Sequence, residues 1–186
     1  LATATSSLGF ALRDSILDAP DLLVQVAANA PRMLAGGLLV LIDCVTVAAI
    51  PVVLYPILKR HSKAWALGYL GFRTIESVLI LVGEVCLLTL LSLSRAYVAA
   101  GAPDAAYWQT LGALFPAAYR YGTHVIGILI VFGLTAVILN VLLIRSRLVP
   151  RWISVWGLVG AIVLLAAGLI ELLGPSSLST VVTYVS

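Results

Sequence analysis

The chain has 186 residues, of which 62% are hydrophobic and only 10% charged, with a formal net charge of +3. Soluble domains are about 45–50% apolar and about 25% charged, so this chain has too little polar surface to cover a water-soluble fold. The small net charge gives no reason to expect binding to nucleic acid. The composition therefore predicts an integral membrane protein.

Four stretches are long and apolar enough to cross a membrane, which takes roughly 20 mainly apolar residues. They cover about residues 33–58, 64–93, 122–144 and 152–173. Each is predicted to be a helix, because a lone strand in lipid would leave its backbone N–H and C=O groups without hydrogen bonds. The predicted fold is therefore an all-α membrane bundle, a single domain over residues 1–186 with four complete transmembrane helices.

Two connecting segments are predicted to be short helices that lie in the membrane interface. The first covers about residues 20–30 and the second about residues 103–115. The second has aromatic and apolar side chains at helical spacing on one side, as interfacial helices do: Tyr107, Trp108, Leu111 and Phe115. The two ends, residues 1–10 and 181–186, are interpreted as remnants of further transmembrane helices.

Basic residues predict the orientation of the helices. Two very short loops between spans carry an excess of Lys and Arg without any acidic residue: Lys59, Arg60, Lys63, Arg145, Arg147 and Arg151. Cytoplasmic loops of membrane proteins carry such an excess, so loops 59–63 and 145–151 are expected to be cytoplasmic. The three arginines of the second loop also suit contacts with anionic lipid headgroups or with a cytoplasmic partner.

Two stretches are unusual for ordinary membrane hairpins. One runs from Arg145 to Gly157 as RSRLVPRWISVWG, and the other runs from Leu67 to Glu76 as LGYLGFRTIE, after LYPIL at residues 54–58. Together they resemble DUF4386, a family of bacterial multi-pass membrane proteins of unknown function. The resemblance covers about residues 33–174 and implies a helical fold in a bacterial cytoplasmic (inner) membrane. It implies no activity, because the family has none assigned.

Three polar residues are expected towards the cytoplasmic ends of their spans, namely Arg73, Glu76 and Asn140. Insertion of a charged side chain into the membrane costs roughly 2.5–3.5 kcal/mol, so each such residue needs a reason to be there. Arg73 and Glu76 are three residues apart on one helix, and we expect them to form a structural salt bridge with Asn140 hydrogen-bonded across to them. A gate or a ligand contact is the alternative.

A second group, Asp43, Glu84 and His124, is expected nearer the outer ends of the spans. No basic residue other than His124 is expected at a comparable depth. The two carboxyl groups are therefore expected to be protonated or to face a small hydrated cleft. The alternatives are a proton relay, since close carboxylates raise each other's pKa, or a site for a divalent cation.

The sequence contains no Gly-rich phosphate loop, no HExxH and no Gly-x-Ser-x-Gly motif, so it predicts no catalytic residue, no cofactor and no metal. We expect a non-enzymatic accessory or scaffold subunit, or a lipid-binding membrane protein. Its expected partners are membrane lipids and other membrane subunits of a larger complex. A small proton- or cation-coupled carrier using Asp43 and Glu84 is the first alternative, and an intramembrane enzyme is the second.

Overall fold

The computed structural model describes the backbone of residues 2–101 and 105–185, and the side chains of residues 7–101 and 106–174. Within these ranges the chain is helical and contains no strand. Four of the described helices are long and apolar enough to cross a membrane. The prediction of an all-α membrane protein with four spans is confirmed.

The helices follow one another along the chain with short connections. They are α1 (Ala2–Leu17), α2 (Leu22–Ala28), α3 (Ala30–Leu58), α4 (Lys63–Ala99), α5 (Ala105–Tyr119), a π-helical segment (Arg120–Val131), α6 (Phe132–Ser146) and α7 (Arg151–Val185). Helix α3 continues through Pro51 and Pro56. Helix α7 is interrupted at Gly174, whose φ of 71° is a left-handed conformation that glycine adopts without steric cost. Its spanning part, Arg151–Gly174, therefore ends where the sequence predicts.

The third span differs from the prediction. Helix α5, the π-helical segment and α6 join into one continuous helix of 41 residues, Ala106–Ser146. The separate helix predicted over 103–115, of which 103 and 104 lie outside the described residues, is thus the beginning of this long helix. At about 1.5 Å per residue its length is about 60 Å, roughly twice the thickness of the hydrocarbon core, so only part of it can cross. Helix α5 continues through Pro116, and three of its aromatic side chains, Trp108, Phe115 and Tyr119, pack against buried residues of unit 1.

The described chain divides into two compact units. Unit 1 comprises Leu1–Val47 and Val78–Thr123, and unit 2 comprises Ala48–Ser77 and His124–Ser186. Both units use parts of α3 and α4, so the division does not follow a linker between sequence domains.

Helix α4 places its buried side chains along one stripe. Buried or half-buried positions recur at alternating intervals of three and four residues, at Ala66, Tyr69, Arg73, Glu76, Ile80, Gly83, Leu87, Leu90, Ser94 and Tyr97. This interval keeps one face of a helix against its neighbours in left-handed packing. The Arg73 and Glu76 side chains therefore lie on the packed side of α4.

The core of unit 1 receives two aromatic residues of α5. Trp108 and Phe115 pack against buried residues of α1 to α4, and the Trp108 ring centroid lies 5.8 Å from that of Tyr97. Tyr107 is 61% exposed. The predicted one-sided aromatic face is therefore wrong for Tyr107, because adjacent residues of a helix point about 100° apart and the packed face begins one residue later.

In unit 2, α7 packs closely against α6 and the end of the π-helical segment. A Cβ added to Gly133 would lie 2.8 Å from Leu165 Cγ, and one added to Gly168 would lie 2.7 Å from Leu129 Cβ. Small residues allow membrane helices to approach closely in this way. Away from this contact, α7 is mostly exposed, since only 17% of its apolar window is buried. Such a surface is suited to contact with lipid.

Candidate functional site

The most deeply buried charges of unit 1 are Arg13 on α1 and Glu84 on α4. Each side chain is 2% exposed. Arg13 Nη1 donates to Glu84 Oε2 at 2.7 Å, and Nη2 donates to Oε1 at 2.9 Å, in the bidentate geometry that Arg and a carboxylate prefer. Arg13 Nε donates to the carbonyl oxygen of Gly9 at 3.2 Å. Every nitrogen of the guanidinium is therefore satisfied, as a buried ion requires.

Glycines make the space for this ion pair. A Cβ added to Gly36 of α3 would lie 2.8 Å from Arg13 Cδ and 2.9 Å from the carbonyl oxygen of Gly9. A Cβ added to the next residue, Gly37, would lie 3.2 Å from Glu84 Oε2. The absence of side chains on α3 at these two positions lets α1 approach and lets Arg13 reach α4. The guanidinium also lies 5.9 Å from the centroid of the Tyr119 ring.

The expectation that Glu84 has no basic residue at its depth is wrong. Arg13 lies 71 residues away in the sequence, in a segment of mixed composition that does not show the pattern of a span. The sequence offered one indirect signal, the pair Gly36-Gly37 inside an apolar helix, which indicates close packing by something on that face. Nothing in the sequence shows that this neighbour is α1.

The other two residues of the predicted outer group, Asp43 and His124, belong to different units and differ in burial. Asp43 is buried in unit 1, at 5% exposure, whereas His124 is exposed and belongs to unit 2. Among the described residues, no three His, Cys, Asp or Glu side chains are grouped so that they could hold a metal ion. The alternative of a divalent cation site at Asp43, Glu84 and His124 is therefore wrong, and the bidentate bond to Arg13 gives the physical reason for Glu84.

In unit 2 the predicted pair of Arg73 and Glu76 is present. Arg73 Nη1 donates to both carboxylate oxygens of Glu76, at 2.8 and 2.9 Å, and the two side chains are 13% and 5% exposed. The guanidinium lies 5.0 Å from the centroid of the Phe132 ring, a cation–π distance. Arg73 Nε is buried without a hydrogen-bond partner in the described part of the chain. The pair is neutral overall but keeps N–H groups that Glu76 does not use.

Asn140 does not make the predicted bond to this pair. Its Nδ2 donates instead to the carbonyl oxygen of Ala136, one turn earlier on α6, at 2.8 Å. Its Oδ1 would lie 2.5 Å from a Cβ on Gly157, so the amide occupies the space that Gly157 leaves open on α7. Asn140 and Arg73 nevertheless line the same pocket, of about 470 Å³, between α4, α6 and α7.

The three arginines at the turn between α6 and α7 are all exposed, as lipid or partner contacts require: Arg145, Arg147 and Arg151. Arg147 ends α6 in a left-handed conformation, with φ 53° and ψ 28°. Arg145 lies 5.3 Å from the centroid of the Trp65 ring. Beside the turn, Trp152 is 73% exposed. A turn with exposed cations and an exposed indole is typical of the boundary between lipid and water.

These features define a multi-pass helical membrane protein whose most deeply buried arginines are paired with carboxylates. A family model described as "Domain of unknown function (DUF4386)" matches residues 1–186, the whole chain. The chain therefore belongs to the DUF4386 family, and the resemblance expected over residues 33–174 is confirmed and extends to both ends. No curated protein and no solved structure matches the chain.

Proposed function

We propose that this protein is a non-enzymatic, lipid-binding membrane protein that holds anionic headgroups at the turn between α6 and α7. The observation that carries the proposal is the exposure of Arg145, Arg147 and Arg151 around one short turn. Residues 147–151 line a shallow, open hollow of about 450 Å³ that is accessible to a headgroup. Each cation near an anionic membrane surface contributes about 1 kcal/mol to binding.

The three arginines have different roles in this proposal. Arg145 lies over the Trp65 ring, with its guanidinium carbon 5.3 Å from the ring centroid. Arg147 and Arg151 flank the hollow and are exposed, so they are the cations available to a phosphate. The mostly exposed helix α7, which begins at Arg151, supplies apolar surface for the acyl chains. An accessory or scaffold role within a larger membrane complex is compatible with the same surface.

The proposed headgroup contact can be tested by neutralising two arginines. Arg147→Gln with Arg151→Gln should lower the retention of phosphatidylglycerol at least fivefold. The two changes remove about 2 kcal/mol of electrostatic attraction, and a fivefold loss corresponds to about half of that energy. The measurement is native mass spectrometry of the protein extracted from vesicles that contain phosphatidylglycerol and phosphatidylcholine. The matched control is Arg32→Gln with Arg95→Gln, which removes the same charge from two exposed positions on α3 and α4. Equal retention by the two double variants would refute the proposal.

The proposed location is a bacterial cytoplasmic membrane, with loops 59–63 and 145–151 in the cytoplasm. Single cysteines at Arg60 and Arg147, introduced with Cys44 and Cys86 replaced by serine, should react with a membrane-impermeant maleimide only after the cells are opened. A cysteine at Arg32, at the opposite end of α3 from Arg60, should react in intact cells. Labelling of position 60 or 147 from outside intact cells would overturn the orientation.

The carrier alternative uses Asp43 and Glu84 as sites that change protonation during transport. The two short bonds from Arg13 engage both carboxylate oxygens of Glu84 and favour a structural role for it. We therefore do not propose transport by this pair.

A further inference from the structure

The pocket in unit 2 is not used by the proposed headgroup contact. It lies between α4, α6 and α7 and has a volume of about 470 Å³. Pockets that bind small molecules span about 300–1,000 Å³ and combine apolar walls with a few polar groups. The pocket residues all fall inside three of the candidate spans, Lys63–Ala99, Ala106–Ser146 and Arg151–Gly174.

Two glycines of α7 shape one wall of this pocket. At Gly157 the space is filled by the amide of Asn140, which is thereby fixed at the wall. At Gly160, one turn further along the helix, an added Cβ would meet no described atom within 4 Å. The opening beside Gly160 is therefore free volume, and Trp156, 81% exposed, stands at its edge as a flat aromatic surface.

The polar groups of the pocket select for a neutral ligand. Glu76 already neutralises Arg73 through two bonds from Nη1, so the pocket has no net cation to attract an anion. An anionic group beside Arg73 would also be repelled by the Glu76 carboxylate and would lose its hydration. The electrostatics thus exclude the ligand class that suits the exposed turn.

The same groups select for a hydrogen-bond acceptor. A guanidinium only donates hydrogen bonds, and Arg73 keeps donors beyond those that Glu76 accepts, including a buried Nε without a described partner. Tyr69, whose hydroxyl interacts with the Arg73 guanidinium, also lines the pocket and has one O–H to donate. The Asn140 Nδ2 and Thr135 hydroxyl donors are already used, because each donates to a backbone carbonyl oxygen four residues earlier in the same helix. A carbonyl oxygen on an apolar body complements this arrangement, because it accepts from Arg73 or Tyr69 and carries no charge.

We infer that the pocket formed by Arg73, Tyr69, Phe132, Asn140, Trp156 and Gly160 binds a neutral lipid whose polar end carries a carbonyl oxygen. The carbonyl accepts from the donors of α4, the adjoining ring or ester lies against the aromatic residues, and the chain leaves past Gly160 into the membrane. Two sources share this chemistry, an isoprenoid quinone and a neutral glyceride. This site and ligand class go beyond the proposed headgroup contact.

The test fills the free volume without touching the polar groups. The full chain is purified in a mild detergent and titrated with decylubiquinone, with dioctanoylglycerol and with dioctanoyl phosphatidic acid, and bound probe is measured by native mass spectrometry. At least one of the two neutral probes should bind at one per chain. In the Arg147→Gln with Arg151→Gln variant, which lacks the proposed headgroup contact, it should bind more tightly than the phosphatidic acid does. Gly160→Leu should weaken that binding at least tenfold. Which neutral probe binds identifies the source of the carbonyl.

The matched control is Gly71→Leu, on α4 outside the pocket, where an added Cβ likewise meets no described atom within 4 Å. It should bind the neutral probe as the unmodified protein does, and both variants should keep the melting temperature of the unmodified protein. If Gly160→Leu lowers that temperature, the smaller Gly160→Ala serves as the second variant, with a smaller loss of affinity expected.

The inference is overturned if neither neutral probe binds the unmodified protein, or if the Gly160 and Gly71 variants bind equally well. Tighter binding of phosphatidic acid that is lost in Gly160→Leu would also overturn it. The Arg147→Gln with Arg151→Gln variant should bind the neutral probe normally. Failure of the headgroup proposal and failure of this one are therefore seen in different variants.

Discussion

Replacing Arg13 with methionine should lower the free energy of unfolding by about 3–5 kcal/mol, because it leaves the Glu84 carboxylate buried without its cation. The Glu84→Gln variant should have a similar cost, since Arg13 is then the unpaired ion. Both side chains are 2% exposed, so water does not compensate for the lost partner. The measurement is unfolding of the purified protein in mixed micelles with increasing denaturing detergent, followed by tryptophan fluorescence.

The double variant Arg13→Met with Glu84→Leu distinguishes a buried pair from two independent contributions. Replacement of both ions by apolar residues of similar volume is often neutral or stabilising, so the double variant should be more stable than either single one. The control is Arg32→Met, which removes an exposed arginine of α3 and should change stability by less than about 0.5 kcal/mol. Strictly additive costs of the two single changes would contradict the pairing.

The second large effect is expected at the pair in unit 2. Arg73→Ala should destabilise the protein by about 3–5 kcal/mol, because Glu76, 4% exposed, loses the cation that donates to both of its oxygens. It also removes the contact of the guanidinium with the Phe132 ring. Expression level and unfolding in the same mixed micelles measure the loss.

The comparison for Arg73 is Arg95→Ala, an exposed arginine on the same helix, which should be nearly neutral. Unchanged expression and unchanged stability of Arg73→Ala would mean that the pair has no structural role, and would favour the alternative of a gate or ligand contact. Because the side chain of Arg73 is 13% exposed, its loss should cost somewhat less than the loss of Arg13.

The Arg73–Glu76 contact could be predicted from the sequence, whereas the Arg13–Glu84 contact could not. Arg73 and Glu76 are three residues apart on one helix, so the spacing alone predicted their contact. Arg13 and Glu84 are 71 residues apart, and their contact depends on how α1 packs against α3 and α4. Asn140 shows the same limit, because its amide bonds within α6 rather than across to another helix.

Helix boundaries were likewise predictable only where the local sequence marks them. The ends of the first and fourth spans agreed with the prediction, because the sequence itself marks them: charged residues follow Leu58, and a Gly-Pro pair follows Leu173. The break expected before residue 122 was absent. Packing of Trp108 and Phe115 against unit 1 keeps α5 helical up to the π-helical segment, and this packing has no local signature.

By itself, the sequence determined that this is a membrane protein, that it is helical with four spans, which family it belongs to, and that Arg73 and Glu76 form an ion pair. Each of these depends on composition, on short stretches of sequence, or on residues that are close neighbours along one helix. The tertiary structure decided which charges are paired over long distances and whether the space beside each glycine is filled or open. It also decided that three helices line a partly open pocket beside Arg73. These properties arise from distances between helices that are set by packing, and the pocket is where we expect a neutral lipid.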